Sequence, residues 1–264
     1  MNIEFLKRSN KPNLAYCYTP PLSGTKGENA PIVMFLGGFN SDMAGTKAGY
    51  LEEQCKARGQ GFIRFDYSGH GESDGSFKDG TIGIWKEDAA SILDHINPQR
   101  VILVGSSMGG WISLLLALER PQKLTGLIGI AAAPDFTKDM WASSLSDEQR
   151  AEIAKQGYIA VPNEYSDEPY ILTKALFDDA KNNFILDRTH SLDIPMVFVQ
   201  GVQDPDVPWE TTSKIQAVFP KADIEIVLID DGDHRLSRPE DLEIINRELI
   251  GLSNPPNIQT GNML

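Results

Sequence analysis

A serine becomes a nucleophile when a base takes its proton, and the usual base is a histidine held in place by a carboxylate. The chain carries side chains of these three kinds at places where they could meet. Val101-Ile102-Leu103-Val104-Gly105-Ser106-Ser107-Met108-Gly109-Gly110 runs from an apolar, strand-like segment into a helix-like one. Within it, Gly105-x-Ser107-x-Gly109 fits a nucleophile elbow, a strand-to-helix turn too tight for side chains at the glycine positions. The bare motif says little. The strand before it and the helix after it give it weight against the alternative, a glycine-rich turn that binds phosphate or nothing. Four histidines are present. His95 falls near the end of a helix-like stretch and His190 in an irregular one, with no strand end nearby. His70, in Asp66-Tyr67-Ser68-Gly69-His70-Gly71, and His234, in Asp230-Asp231-Gly232-Asp233-His234, both follow strand-like runs. Asp204 and Asp206 follow another such run, and Asp233 adjoins His234. Acyl transfer also needs donors for the developing oxyanion. Met108 N–H follows the serine, and Gly37-Gly38 lets the backbone approach closely enough for Phe39 N–H to be the second donor.

These residues need a scaffold that gathers loops at one end. Residues 3–8 and 14–19 alternate in polarity, as strands at a sheet edge do. Runs at 32–36, 61–66, 101–105 and 124–133 are continuously apolar, which suits central parallel strands covered on both faces. Helix-like stretches at 46–58, 83–96 and 107–119 lie between them, the last stopping at Arg120-Pro121. The rhythm breaks over 134–193, where helices are predicted over 146–156 and 169–182 around an irregular 161–165 segment. Ser146 and Gln149 form a capping-box start for the first of these. A strand at 196–200, a helix at 209–219, a strand at 224–229 and a helix at 239–252 follow, then a polar tail from 253 that is expected to fray. The pattern predicts a three-layer α/β sandwich around a mostly parallel sheet. Residues 1–133 and 191–264 form its core, and 134–190 a lid over the strand ends, where open α/β sheets place their chemistry. Met140, Trp141, Leu145, Ile159, Val161, Tyr165, Tyr170, Leu172, Leu176 and Phe177 are the lid's apolar surface, most of it expected to pack the lid onto the core. Trp111 and Trp209 read as core or pocket-wall residues.

Composition narrows the classes of partner. The 264 residues carry 24 Lys+Arg against 37 Asp+Glu, a net charge of −13, which repels phosphate backbones and argues against a nucleic-acid partner. No apolar run approaches the roughly 18 residues that span a bilayer. The charged, alternating start is unlike a signal peptide. Cys17 and Cys55 are too few for a disulfide framework or a cysteine zinc site. A cytoplasmic protein is expected. Nothing in the sequence sets an oligomeric state.

In hydrolases built on a nucleophile elbow the chain order is serine, acid, histidine, with the histidine after the last strand. That order favours His234 over His70. Asp204, three residues past the strand-ending Gly201, has the usual spacing for the acid, whereas Asp206 reads as a solvated turn residue or a cap for the following helix. Asp233 reads as structural. This order, with the oxyanion loop, resembles the α/β-hydrolase-fold serine hydrolases. Arg64-Phe65-Asp66-Tyr67-Ser68-Gly69, Val104-Gly105-Ser106-Ser107-Met108-Gly109-Gly110-Trp111, Asp206-Val207-Pro208-Trp209 and Asp233-His234-Arg235 narrow the likeness. Over 31–241, least in the lid, they look like the mitochondrial palmitoyl-protein thioesterases of that fold, also described as acyl-glucuronide esterases, and their bacterial relatives. The resemblance implies an α/β-hydrolase fold and an acyl-serine route with Ser107, Asp204 and His234. The expected activity is that of a carboxylesterase on a small-molecule acyl ester, with no metal or organic cofactor. A thioesterase on the same triad is the alternative, and a non-catalytic binding or sensor protein is the alternative of another class. Two departures stand out: no Arg- and Ser-rich transit segment precedes the first strand, and Gly37-Gly38 replaces the His-Gly of many relatives.

Overall fold

The computed structural model describes residues 2–162 and 169–254. Two edge strands, β1 (Glu4–Leu6) and β2 (Leu14–Thr19), precede β3 (Ile32–Leu36), α1 (Thr46–Ala57), β4 (Phe62–Phe65) and α2 (Ile82–Ile96). Then come β5 (Val101–Ser106), α3 (Met108–Glu119) and β6 (Leu124–Ile130). The segment after β6 holds α4 (Phe136–Asp139), α5 (Asp147–Gln156), β7 (Tyr158–Val161), β8 (Tyr170–Thr173) and α6 (Lys174–Ala180). The main rhythm closes with β9 (Pro195–Gly201), α7 (Thr211–Val218), β10 (Asp223–Ile229) and α8 (Pro239–Ser253).

The main sheet has eight strands in the order β1-β2-β4-β3-β5-β6-β9-β10. Pairings of β1 with β2 and of β2 with β4 are antiparallel, and the rest are parallel. Alternation within the apolar strands divides the core in two. Val33, Phe35, Phe62, Ile102 and Val104 pack with Ala48 and Leu51 of α1 and Ile245 and Leu249 of α8. Met34, Leu36, Ile63 and Leu103 pack on the other face with Trp85 of α2 and Trp111 of α3. A large apolar side chain fully withdrawn from water stabilises the fold by about 1.5–3 kcal/mol, so a strand buried on both faces is anchored at every residue. This is the three-layer sandwich that the periodicity implies.

The segment between β6 and β9 departs from expectation. Residues 158–161 and 170–173 form an antiparallel β7–β8 pair, Tyr158 opposite Thr173 and Val161 opposite Tyr170, where Val161 was expected to open an irregular stretch and a helix was expected from 169. Tyr170, Ile171 and Thr173 are aromatic or β-branched and fit a strand. Thr173 then caps α6 by accepting Leu176 N–H at 3.1 Å, which delays the helix to Lys174. The Ser146–Gln149 capping box of α5 is present. Tyr165 and the tail from 255 lie outside the described residues. Two carboxylates tie the segment down. Asp135 accepts Ile185 N–H and Leu186 N–H, at 3.0 and 2.9 Å, and Asp179 accepts Gly83 N–H at 2.7 Å. No helix among the described residues is long and apolar enough to cross a membrane.

Candidate active site

Ser107 sits between β5 and α3 with φ 54° and ψ −120°, a region L residues seldom occupy. The turn is that tight because α3 starts against the sheet. A Cβ on Gly105 would lie 2.2 Å from Gly109 O, and one on Gly109 would lie 2.1 Å from Leu36 O. Main-chain bonds hold the strain: Ser107 N–H donates to Ile130 O at 2.9 Å, and Ser107 O accepts from Gly110 and Ala133 N–H at 2.9 and 3.1 Å. The hydroxyl is thereby left half-buried at the strand end.

The structure brings Ser107, His234 and Asp204 together. Ser107 Oγ lies 3.0 Å from His234 Nε2, and His234 Nδ1 lies 2.9 Å from Asp204 Oδ2. An ionised carboxylate only accepts, so Nδ1 carries the hydrogen and Nε2 is free to take one from the serine. Asp204 Oδ2 also accepts from the Gln200 amide at 2.8 Å, and Oδ1 accepts Asp206 and Val207 N–H at 2.8 and 2.9 Å. Burial pushes the Asp204 carboxyl up, but the His234 hydrogen bond and charge and the two amides outweigh it, leaving the group below its ordinary value. Gln200 is a participant that sequence reasoning missed; it stands inside a strand, where a polar residue in an apolar run was the available signal. The two loops meet because β9 ends in Gly201 and Gly232 follows β10 by three residues. A Cβ on Gly201 would lie 2.3 Å from Gly232 O, and Gln203 N–H donates to that same oxygen at 2.9 Å. Lys47 Nζ binds Arg235 O, bracing the histidine loop from α1. Burial holds the Lys47 ammonium down to about 8, opposed by Asp233.

Met108 N–H is the first amide of α3 and so has no partner within the helix. Neither it nor Phe39 N–H donates to any group among the described residues. Gly38 backs onto the elbow: a Cβ there would lie 3.5 Å from Ser107 Cβ. Gly38, Phe39, Ser107, Met108 and His234 share the wall of one cavity of about 1050 Å³. Phe136, Met140, Val161, Tyr170 and Leu172 of the β6–β9 segment line it as well, whereas Leu145, Ile159, Leu176 and Phe177 are spent on packing. Asp204, Asp206 and His234 bring ligand-type atoms within 4.8 Å of one another, but the Asp204–His234 bond occupies the facing atoms of two of them.

Other side chains fall elsewhere. His95 bonds the Tyr16 hydroxyl and His190 the Ile185 carbonyl, both away from Ser107. His70 is buried in an aromatic cluster and does not line the cavity. Asp233 accepts Leu236 N–H at 2.9 Å, a structural turn as expected. Asp206 does not cap α7, which begins at Thr211 without a side-chain cap. Trp111 is buried, its indole N–H donating to Asn183 O at 3.0 Å. Trp209 is neither core nor pocket wall but 39% exposed, because the helix expected to carry it begins two residues later.

Residues 27–241 match the family model described as serine aminopeptidase, S33. The chain belongs to this family. It is therefore a hydrolase. The mitochondrial palmitoyl-protein thioesterase ABHD10 of Bos taurus is 36% identical over 245 residues, 92% of this chain and 78% of that protein. Among solved structures, a putative hydrolase from Agrobacterium vitis S4 superposes with TM-score 0.88 at 40% identity, covering 96% of this chain and 100% of that one. Alpha/beta hydrolase domain-containing protein 10 from mouse gives 0.85 at 35% identity, over 96% and 98%. The fold of this S33 member is thus the α/β-hydrolase fold. The expected cytoplasmic placement is overturned by the thioesterase relatives, which are named as mitochondrial proteins. Targeting signals are read and removed apart from the fold, so charge and cysteine count in a folded core do not report a compartment.

Proposed function

We propose that the protein cleaves carboxylic esters through an acyl-serine intermediate. The observation that carries this reading is the hydrogen-bonded series Asp204–His234–Ser107 on the wall of a largely apolar cavity. His234 Nε2 takes the Ser107 proton as Oγ attacks the carbonyl carbon. The carbonyl oxygen becomes an oxyanion and accepts from Met108 and Phe39 N–H, donors that need no reorganisation. Collapse breaks the bond to the leaving oxygen, which departs with the proton from His234. Water then repeats the sequence on the acyl-serine, freeing the acid and restoring Oγ–H. Asp204 holds the Nδ1–H tautomer and stabilises the imidazolium formed at each step.

Residues 134–190 act as the lid in this reading, with Phe136, Met140 and Tyr170 facing the acyl group. A thioester on the same three residues is the second reading, favoured by the names of the ABHD10 relatives. A thiolate leaves more readily than an alkoxide and makes the same demands on the serine and the oxyanion donors. Hydrolysis of a p-nitrophenyl ester series from acetate to palmitate, beside an acyl-thioester series, tests both. Ser107→Ala is expected to lower turnover by about 10⁴-fold or more, because residues of such a unit act together. Equal rates with and without the hydroxyl would overturn the assignment, and activity confined to thioesters would select the second reading.

A further inference from the structure

His70 follows β4, is 4% exposed, and takes no part in the reaction proposed above. Its ring faces two main-chain groups of opposite character: Nδ1 lies 3.3 Å from Ser68 O, and Nε2 lies 3.3 Å from Asn40 N. A carbonyl only accepts and an amide N–H only donates, so the hydrogen sits on Nδ1 and Nε2 is a bare acceptor. Burial pushes the ring's pKa down to about 4, against the smaller pull of the Ser68 bond, so Nε2 keeps its lone pair at neutral pH.

Asn40 immediately follows Phe39 and is left-handed, with φ 55°. The same cluster grips Phe39 itself. Its ring meets Phe77 and Trp85 edge-on at 4.9 and 5.9 Å, and the His70 ring meets those two side chains at 5.1 Å each. One residue before Gly38, Gly37 O accepts from the Tyr67 hydroxyl at 3.4 Å. The loop is therefore tied on both sides of the Phe39 amide and packed beneath it, although Asn40 itself is exposed.

We infer that His70 is a positioning residue for the oxyanion loop: its Nε2 accepts Asn40 N–H and so holds Phe39 N–H toward Ser107. The inference rests on the proposed role of Phe39 N–H. Its physical basis is preorganisation. A donor already aimed at the oxyanion stabilises the transition state more than one that must find its place, and the supporting contacts set that aim. A His-Gly pair would hold such a loop from within; here the support comes from the neighbouring loop, through a side chain outside the cavity.

Two substitutions separate positioning from packing. His70→Phe keeps a ring among Phe77 and Trp85 but removes the acceptor, whereas His70→Gln keeps an acceptor. With p-nitrophenyl butyrate, His70→Phe is expected to lose about tenfold to hundredfold in kcat with KM within about twofold, and His70→Gln to recover most of that loss. Wild-type kcat in His70→Phe would overturn the inference, as would equal losses in both variants that track their thermal stability. If Ser107→Ala hydrolyses the ester as fast as wild type, the proposed function itself has failed, and this inference with it. Should His70→Phe not fold, ¹⁵N spectra of the wild-type imidazole decide. An Nδ1–H tautomer with coupling from the Asn40 amide to Nε2 is expected, and a ring protonated at Nε2 would overturn the inference.

Discussion

A buried, neutral histidine couples stability to pH. In the unfolded chain His70 takes a proton as pH falls through its ordinary 6.5, whereas the folded protein resists until about 4. Its contribution is therefore fully present above 6.5 and is lost as pH falls toward 4, about 3 kcal/mol in all. Asp66, in the same loop, works in the opposite sense, since burial raises its carboxyl. Comparing wild type with His70→Gln subtracts it. Urea unfolding at pH 7 and pH 4.5 is expected to show a larger loss in wild type than in the variant. Residue identity alone showed that His70 and His234 were both eligible near a strand end. Chain order favoured His234, and burial, a property of the packed neighbours, gives the two rings different surroundings.

At the scale of the element, the elbow shows how backbone clearance selects residue type. Gly109→Ala would press a Cβ to 2.1 Å from Leu36 O, which is backbone and cannot rotate away. Either β3 or α3 must move. A loss on the order of 3 kcal/mol is expected in denaturant unfolding, together with reduced turnover as Ser107 shifts. Gly251 near the end of α8 has nothing within 4 Å of a built Cβ, so Gly251→Ala is expected to stabilise by about 0.5–1 kcal/mol and leave turnover unchanged. Elements with strong periodicity were legible in the sequence: β3 and the α5 capping box fall where expected. The β7–β8 pair was not, because four-residue strands carry too little pattern to be told from loop, and their pairing is a long-range event.

Across the molecule, the segment between β6 and β9 must be held against the sheet for the cavity to have a wall. Asp135 does much of this from a left-handed position, accepting two amides from the far end of the segment. Asp135→Ala leaves Ile185 and Leu186 N–H without their acceptor and is expected to cost about 2–4 kcal/mol. KM for long-chain esters is expected to rise, because Phe136 and Leu186 both line the cavity; unfolding curves and the ester series read the two effects. What the sequence by itself determined is the order of layers and the kinds of residue at the strand ends. Apolar period, glycine spacing and turn residues are local, and each is enforced by the backbone within a few residues. What only the tertiary structure decided is who meets whom. Ser107 and His234 are 127 residues apart, and Asp204 and His234 are 30 apart. Their hydrogen bonds exist because β5 lies beside β6, β6 beside β9 and β9 beside β10, and because Gly201 and Gly232 let two loops touch. Gln200 against Asp204 and His70 against the Asn40 amide belong to the same class of fact. Their partners are chosen by packing in three dimensions, and a linear pattern holds no record of that choice.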